Sequence, residues 1–290
     1  MSTDCRPVSA HKKTRDRHLF LSRLPFPLSA LHKDLPMKHH RHAVFAAVLA
    51  TLSVSAAQAA DPASSADQPA VWGIGAGVSV ERTPYRGADT DINPLPLLMY
   101  ESRWLSVFGP NVSLKLPSAG PVSFRLKAQY SGDGYDSGDS DDLRFMHERK
   151  GGFWLGGSAT WRTGFVDLTA EYLAAAGRSD GQKFKLQADR SFKQGAFEFT
   201  PRLAAKWADD KYVDYYYGVR RDEVIPGRRF YEGKSSVNVE LGLRVNYALA
   251  RNQSVFLDVS ASTLGSGIKD SPIVDRSSES TVRLGYLYRF

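Results

Sequence analysis

The chain has 290 residues, of which 42% are apolar, 24% charged and 11% aromatic, and its formal net charge is +7. The positive excess lies at the start: residues 1–59 hold nine Lys and Arg against three Asp and Glu, whereas the remainder holds 29 against 28. The only cysteine, Cys5, also precedes residue 60. A nearly neutral body argues against nucleic-acid binding, and a body without cysteine excludes a disulfide scaffold or a cysteine-rich zinc site.

Residues 37–59 have the three parts of a secretory signal peptide. Lys38 and Arg41 form the positive region, residues 43–54 form a short apolar region, and Ala57-Gln58-Ala59 supplies the small residues of a cleavage site. The apolar run is too short, and too rich in Ser and Thr, for a transmembrane helix. The pattern predicts export from the cytoplasm.

The predicted signal peptide divides the chain into four segments. A signal normally starts at the initiator methionine, so we interpret residues 1–36 as a mis-assigned upstream extension. We expect the mature protein to begin at about Ala60. Residues 60–70 are rich in Pro, Ala and Ser and are predicted to be a mobile lead-in. Residues 71–290 form the body.

The body has apolar residues at every second position over long stretches. Between Ser236 and Tyr247, the residues on one face are Val237, Val239, Leu241, Leu243, Val245 and Tyr247. The same alternation recurs at residues 122–130, 166–172, 255–261 and 282–290. Helices would need an apolar period of about 3.6 residues, so the pattern predicts an all-β chain.

Three features favour a closed antiparallel transmembrane β-barrel over a soluble periplasmic β-protein, which stays the alternative. The segments are ten to thirteen residues long, which suits a tilted strand that crosses a bilayer. Aromatic residues fall near segment ends, as in an interfacial girdle. The chain also stops on an alternating strand that ends in Phe290. These features place the protein in a Gram-negative outer membrane.

The lengths of the connections predict the strand number. Tight connections near residues 117–120, 163–164, 194–195 and 249–251 alternate with longer ones at 132–151, 175–181, 208–233 and 264–278. This alternation is typical of barrels with short periplasmic turns and long outer loops. Residues 71–117 must add an even number of strands, which gives ten or twelve in total, with twelve favoured. A barrel this narrow is largely filled by its own side chains and is at best a small pore.

Five short motifs resemble those of one known family. They are Trp72-Gly73-Ile74-Gly75-Ala76-Gly77, Pro84-Tyr85-Arg86-Gly87, Asn93-Pro94-Leu95-Pro96, Tyr215-Tyr216-Tyr217-Gly218-Val219 and Asp270-Ser271-Pro272-Ile273-Val274. In this order and at these distances, the body resembles the MltA-interacting protein (MipA)/OmpV family of Gram-negative outer-membrane proteins over nearly all of residues 70–290.

The resemblance implies a non-enzymatic outer-membrane barrel in contact with lipid and lipopolysaccharide. For one member it implies a scaffold that joins a murein lytic transglycosylase to a murein polymerase, and other members resemble adhesins or stress-responsive surface proteins. We therefore predict a scaffold for murein enzymes, with a small-solute pore or a surface-binding barrel as alternatives.

The candidate chemical groups are few, and we predict no catalytic, cofactor-binding or metal-binding residue. His147 is the only histidine of the body, and no Gly-x-Ser-x-Gly motif accompanies it. The loop that holds Asp133 and Asp136 is acidic, but its spacing does not match a calcium loop. Gly73, Gly75 and Gly77 lie within a strand and open no helix, so they do not form a phosphate-binding loop.

Two sets of residues carry the remaining alternatives. Eight charged residues fall on the inward face of predicted strands and would form either a salt-bridged plug or a weak selectivity filter: Arg125, Lys127, Glu171, Arg202, Glu240, Arg244, Arg283 and Arg289. A loop predicted to expose many Tyr and Arg residues favours surface binding, because both are frequent binding residues: Tyr212, Tyr215, Tyr216, Tyr217, Tyr231, Arg220, Arg221, Arg228 and Arg229.

Overall fold

The structure, a computed structural model, describes residues 69–290. The upstream extension, the signal peptide and almost all of the lead-in lie outside the described residues, so those assignments stay predictions. In the described part of the chain, no helix is long and apolar enough to cross a membrane.

The described residues form thirteen β-strands and four short helical segments. The strands are Val71–Arg82 (β1), Thr90–Glu101 (β2), Leu105–Phe108 (β3), Asn111–Lys115 (β4), Val122–Ser131 (β5), Gly152–Arg162 (β6), Asp167–Ala176 (β7), Gln182–Asp189 (β8), Phe192–Gln194 (β9), Phe197–Ala208 (β10), Ser236–Ala250 (β11), Gln253–Thr263 (β12) and Ser278–Arg289 (β13). The α-helices are Asp210–Tyr217 (α1) and Ser266–Lys269 (α2), and the 3₁₀ helices are Asp141–Leu143 and Arg221–Glu223.

The strands close into a twelve-stranded antiparallel barrel, as predicted. Strands β8 and β9 both pair with β10 and together make one strand of the wall. Strand β13 pairs with β1 from Gly73↔Arg289 to Arg82↔Ser280, so the first and last strands meet. A closed ring satisfies its ladder hydrogen bonds internally, which a hydrocarbon environment requires.

Residues 71–117 contribute four strands, including the two short ones expected before Leu116. The connections alternate in length between the two ends of the barrel. One end, here called the turn end, holds the chain terminus Phe290 and tight connections such as 163–166 and 251–252. The opposite end, the loop end, holds long connections such as 132–151 and 209–235. In outer-membrane barrels the long loops face the cell exterior, so the turn end faces the periplasm.

The outer face of the wall is apolar and the inner face is polar. On β11, Leu241 points outward and is 66% exposed, whereas its neighbour Glu240 points inward and is 8% exposed. Aromatic rings flank the apolar band at both ends of the strands. Trp72 packs on Tyr100 near the turn end at 4.7 Å, and Tyr130 packs on Phe153 near the loop end at 5.2 Å. Bilayer lipid solvates such a face and its aromatic girdles.

The glycines of β1 lie on the inner face, where β1 joins β13. A Cβ atom on Gly75 would lie 2.0 Å from the backbone oxygen of Tyr286, and one on Gly77 would lie 2.4 Å from that of Leu284. The two strands therefore approach too closely for any larger residue. The Gly-x-Gly-x-Gly sequence serves barrel closure rather than phosphate binding.

Candidate functional site: the barrel interior and the loop cap

The eight charged residues predicted to point inward all do so, and most are paired across strands. The main group, here called the interior ion-pair cluster, comprises Arg202, Lys206, Glu240, Arg244 and Asp258. The two Nη atoms of Arg202 donate to the two carboxylate oxygens of Asp258, both at 3.0 Å, and its Nε donates to Glu240 at 3.1 Å. Such two-pronged pairs are strong and directional.

The same cluster is extended by two further cations. Arg244 Nε donates to Asp258 at 3.0 Å, and Lys206 pairs with Glu240. Gly242 makes room for the group, because a Cβ there would lie 2.5 Å from Cζ of Arg202. The cluster thus spans β10, β11 and β12 and ties three neighbouring strands together.

A second group lies beside the first around the wall, on β5, β7 and β8, since β8 pairs with β10. Glu171 lies between Lys127 and Lys185, with Nζ of Lys185 at 3.1 Å. Arg283 on β13 donates to Glu81 on β1 at 2.8 Å. Most charges inside the barrel are therefore paired with opposite charges, which is the arrangement expected of the salt-bridged plug.

A polar chamber of 270 Å³ remains within the plug. Its lining includes three guanidinium groups and two carboxylate groups. The lining residues are Gln187, Asp189, Thr200, Arg202, Arg244, Asp258 and Arg283. The chamber is large enough for a few water molecules or a small solute.

One side of the interior is apolar. Leu97, Phe256 and Leu287 are buried there and pack with Leu95, Met99 and Phe108, a set here called the interior apolar cluster. Gly285 makes room for the ring of Phe256, because a Cβ atom on it would lie 2.5 Å from that ring. The inward charges were predictable from the sequence, whereas this apolar patch on β2, β3, β12 and β13 was not among the predicted features.

The outer loops fold into a packed layer over the loop end, here called the loop cap. It consists of residues 83–89, 132–151, 209–235 and 264–277. Its core includes Tyr85, whose ring lies 4.8 Å from that of Tyr135 and 5.4 Å from that of Tyr217. Burial raises the pKa of these tyrosines, which stay neutral and act as packing residues.

A buried ion pair holds the two longest loops of the cap together. Nη2 of Arg149 donates to both carboxylate oxygens of Glu223 at 2.8 and 3.0 Å, and both side chains are at most 1% exposed. Glu223 also accepts the backbone N–H groups of His147 at 2.9 Å and Arg220 at 2.8 Å. Burial alone would raise the pKa of Glu223, but these donors outweigh it and hold that pKa below its usual value.

The tyrosine-rich loop is not the exposed binding surface that its composition suggested. Tyr216 and Tyr217 are buried on α1, and Tyr212 and Tyr215 pack against the same core. Arg228 is also buried and donates to the backbone oxygens of Asp142 and Arg144. The prediction of exposure was wrong for the tyrosines, because α1 turns one face of this segment inward, and for Arg228, whereas Arg220, Arg221 and Arg229 are exposed as predicted. The spacing of Tyr212, Val213, Tyr216 and Tyr217 is the helical signal that could have revealed it.

His147 is an exposed loop histidine. Its Nε2 lies 2.8 Å from Oδ2 of Asp222, which is also exposed. This contact is a hydrogen bond on the surface of the loop cap, and within residues 69–290 no Ser, Cys or Thr side chain bonds to the imidazole as the nucleophile of a hydrolase would.

Carboxylates of the acidic loop form hydrogen bonds and ion pairs with nearby side chains. Asp133 accepts from Lys183 at 3.3 Å and from Tyr212 at 3.1 Å, and Asp141 pairs with Arg144. Burial opposes ionisation of Asp133, but Lys183 and the hydroxyl groups around it lower its pKa. In residues 69–290 no group of three potential ligands is arranged to hold a metal ion.

The turn end carries a cationic surface. Arg103 stacks on Trp104 at 4.8 Å, Arg190 lies 4.5 Å from the ring of Phe165, and Arg251 occupies the β11–β12 turn. Among the connections at this end, all within the described residues, none contains an Asp or Glu. The connections at this end are therefore positive, whereas the acidic residues Glu101, Asp167 and Asp189 lie at the adjoining strand ends.

The sequence profile of the MltA-interacting protein MipA family matches residues 74–290. This chain belongs to that family. The MltA-interacting protein of Escherichia coli (strain K12) is 27% identical over 225 residues, which cover 76% of this chain and 90% of the relative. The outer membrane protein OmpV of Vibrio cholerae serotype O1 is 24% identical over 161 residues, which cover 55% of this chain and 63% of that one.

Family membership and the barrel together place this MipA-family protein in the Gram-negative outer membrane. Among solved structures, the NanC porin aligns over 76% of this chain and 99% of its own with a TM-score of 0.37 and 8% identity.

Proposed function

We propose that this MipA-family barrel is a closed outer-membrane anchor that docks a murein lytic transglycosylase at its periplasmic turn end. The name of the E. coli relative records an interaction with MltA, a protein of that class. The present chain would supply the membrane attachment, and its partner would supply the chemistry.

The observation that carries this proposal is the cationic turn end. Arg103, Arg190 and Arg251 project from connections that contain no acidic residue within residues 69–290. Because the turns are short, they offer little area for apolar docking, and long-range attraction must contribute most of the recognition. Clustered charge of one sign speeds association with an oppositely charged surface and selects against like-charged partners. The docking face of the transglycosylase is therefore acidic.

Charge reversal at the turn end tests the proposal. The double variant Arg103→Glu/Arg251→Glu should weaken capture of the cell's own MltA-type transglycosylase by the detergent-solubilised barrel by about tenfold at low salt, which is about 1.4 kcal/mol. The difference should shrink at high salt, because screening removes the contribution of exposed charges. Binding is measured by surface-immobilised titration of purified components.

The matched control is Arg178→Glu, an exposed arginine in the β7–β8 loop at the opposite end of the barrel. It should bind the transglycosylase like the wild type. Equal binding by all three proteins, with assembly of each confirmed, would contradict the docking surface.

A second candidate, passage of small anions, is supported by the three arginines that line the polar chamber. The loop cap covers one end of the barrel and the ion-pair clusters occupy its interior, so the wild type should show little conductance in a planar bilayer. A channel-sized conductance with anion selectivity would favour the pore over the anchor.

A further inference from the structure

The barrel wall is incomplete on one side. Strands β3 and β4 have four and five residues, whereas the adjacent β2 and β5 have twelve and ten. A strand of four residues is about 13 Å long, and about nine to eleven residues are needed to span a bilayer. The β3–β4 hairpin turns back at Gly109-Pro110 and leaves the outer part of β2 without a neighbour on that side.

The hydrogen bonds define the extent of this lateral gap. Strand β2 pairs with β1 over all twelve residues, from Val71↔Glu101 to Arg82↔Thr90. Its ladder to β3 contains only the pairs from Met99↔Phe108 to Glu101↔Ser106, extended by one bond from Gly109 N–H to Leu98 O. From Thr90 to Leu97, within the described residues, β2 has a ladder to β1 alone. The gap is this free edge above the Gly109-Pro110 turn.

Two prolines lie on the free edge. Because Leu98 O faces β3, the backbone groups of Ile92, Pro94 and Pro96, which alternate with it, face the same side. Proline has no N–H group, so two of these three positions offer no donor. An edge with a donor at only one of these three positions pairs poorly with an added strand, which argues against a second β-structure as the occupant of the gap.

The gap is bounded above by the loop cap. Oγ of Ser140 donates to the backbone oxygen of Arg86 at 2.8 Å, and the side chain of Asp142 approaches Gly87. Below, the hairpin tip meets β5 where Tyr130 N–H donates to Pro110 O at 3.1 Å. Tyr130 belongs to the loop-end aromatic girdle, so the gap opens at the interface of the outer leaflet.

Beside the hairpin, the rim of the gap is apolar on both faces of β2, whereas Asp91 and Asn93, farther along the strand, point inward and are polar. Ile92, Pro94, Pro96 and Leu98 point outward and are exposed. Leu95 and Leu97 point inward into the interior apolar cluster with Phe256. A route between these two surfaces passes the side chains on the free edge of β2, and side chains change rotamer far faster than strands separate.

We propose that this lateral gap is an entrance through which a hydrocarbon chain passes from the outer leaflet into the interior apolar cluster. The class of ligand follows from the lining, which offers apolar contact at every inward position from Leu95 to Met99. A charged or strongly polar solute would lose its hydration there without compensation. The inference concerns the outer half of the barrel and is independent of docking at the turn end.

Photocrosslinking of the wild type tests the entrance. The protein is reconstituted into liposomes that contain either palmitic acid or a phospholipid, each with a diazirine on the acyl chain. Adducts are mapped by peptide mass spectrometry. We expect adducts on the inward-facing Phe256 and Leu287 with at least one probe. Labelling by palmitic acid alone identifies a free chain as the ligand, and labelling by the phospholipid identifies a bilayer lipid.

A blocking variant separates lateral entry from entry through the barrel ends. Leu95→Trp fills the inner rim of the gap and should lower the adducts on Phe256 by about tenfold, equivalent to about 1.4 kcal/mol. Leu257→Trp, on the outward face of β12, should leave them unchanged. The proposal is overturned if wild-type adducts are confined to outward residues such as Leu98, or if inward adducts are unaffected by Leu95→Trp in assembled protein.

Discussion

At the scale of single residues, the carboxylate of Glu223 is the charged group that depends most on its hydrogen-bonding partners. It is completely buried in the loop cap, yet it is surrounded by the Arg149 guanidinium and two backbone N–H groups. A buried charge is tolerated when its partners satisfy it and is costly when one partner is removed. The cap therefore depends on this one ion pair more than on its exposed pairs.

We expect Glu223→Ala to loosen the cap by about 3–5 kcal/mol, because Arg149 would then be buried without a counter-charge. The barrel should remain assembled, since its strand ladders do not include this residue. Hydrogen exchange should show faster exchange in residues 132–151 and 209–235. Asp222→Ala, which alters the neighbouring exposed residue, is the control and should have little effect; equal exchange in the two variants would contradict the role of the buried pair.

The lowered pKa values of Glu223 and Asp133 make the cap sensitive to acid. A carboxyl group whose pKa is depressed by folding stabilises the folded state above its unfolded pKa. That contribution is lost as the pH falls through the folded pKa. The protection of the loop cap from hydrogen exchange should therefore be constant at neutral pH. It should decline as the pH falls below the ordinary pKa range of carboxyl groups. Glu223→Gln should flatten the decline measured by hydrogen exchange across a pH series, and an identical profile would disprove the assignment.

At the scale of elements, β13 has two functions. It closes the ring against β1, and it presents the apolar outward stripe that ends in Phe290. Phe290 is 77% exposed at the turn end, its ring meets that of Tyr288 edge to face at 5.0 Å, and its N–H donates to Trp72 O at 2.8 Å. The Phe290 ring is therefore placed to act both as an interfacial aromatic residue and as part of a C-terminal assembly signal.

Replacing Phe290 by Asp should strongly lower the amount of assembled barrel and leave unfolded chain to periplasmic proteases. Arg289→Asp should matter much less, because Nε of Arg289 has no hydrogen-bond partner whose loss would be felt. The measurement is the quantity of heat-modifiable protein in the outer membrane of cells that express each variant. Normal assembly of the Phe290→Asp variant would show that the terminal aromatic is not required.

At the scale of the whole molecule, closure of the ring is the property on which the others depend. The β1–β13 seam is made possible by Gly75, where any side chain would meet the Tyr286 backbone oxygen. Once the ring is closed, every strand of the barrel has a ladder to both neighbours, although β3 and β4 cover only part of the wall height, and the barrel should resist detergent until it is heated.

The wild type should therefore show different electrophoretic mobility before and after boiling, and Gly75→Ala should reduce or abolish the folded band. Gly152→Ala provides the control, because a Cβ there meets nothing within 4 Å. The test compares the gel mobility of the two variants in unboiled samples. A Gly75→Ala protein as heat-modifiable as the control would refute the close approach at the seam.

The sequence alone determined the parts of this protein that local patterns encode. Alternation of apolar residues assigns each strand residue to a face, so the inward positions of Arg202 and Glu240 followed without coordinates. Connection lengths distinguish the two ends of the barrel, and twelve strands followed from them. Both properties depend on residues close together in the chain.

Only the tertiary structure decided which groups meet. Arg202 and Asp258 are separated by 56 positions and are joined by the register of three strands, which periodicity does not specify. Tyr217 has the composition of a surface-binding residue, but the packing of α1 against the other loops buries it. The gap beside Pro94 likewise depends on how far one hairpin reaches along its neighbours. A pattern indicates which face a residue occupies, whereas contact depends on what distant segments place opposite it.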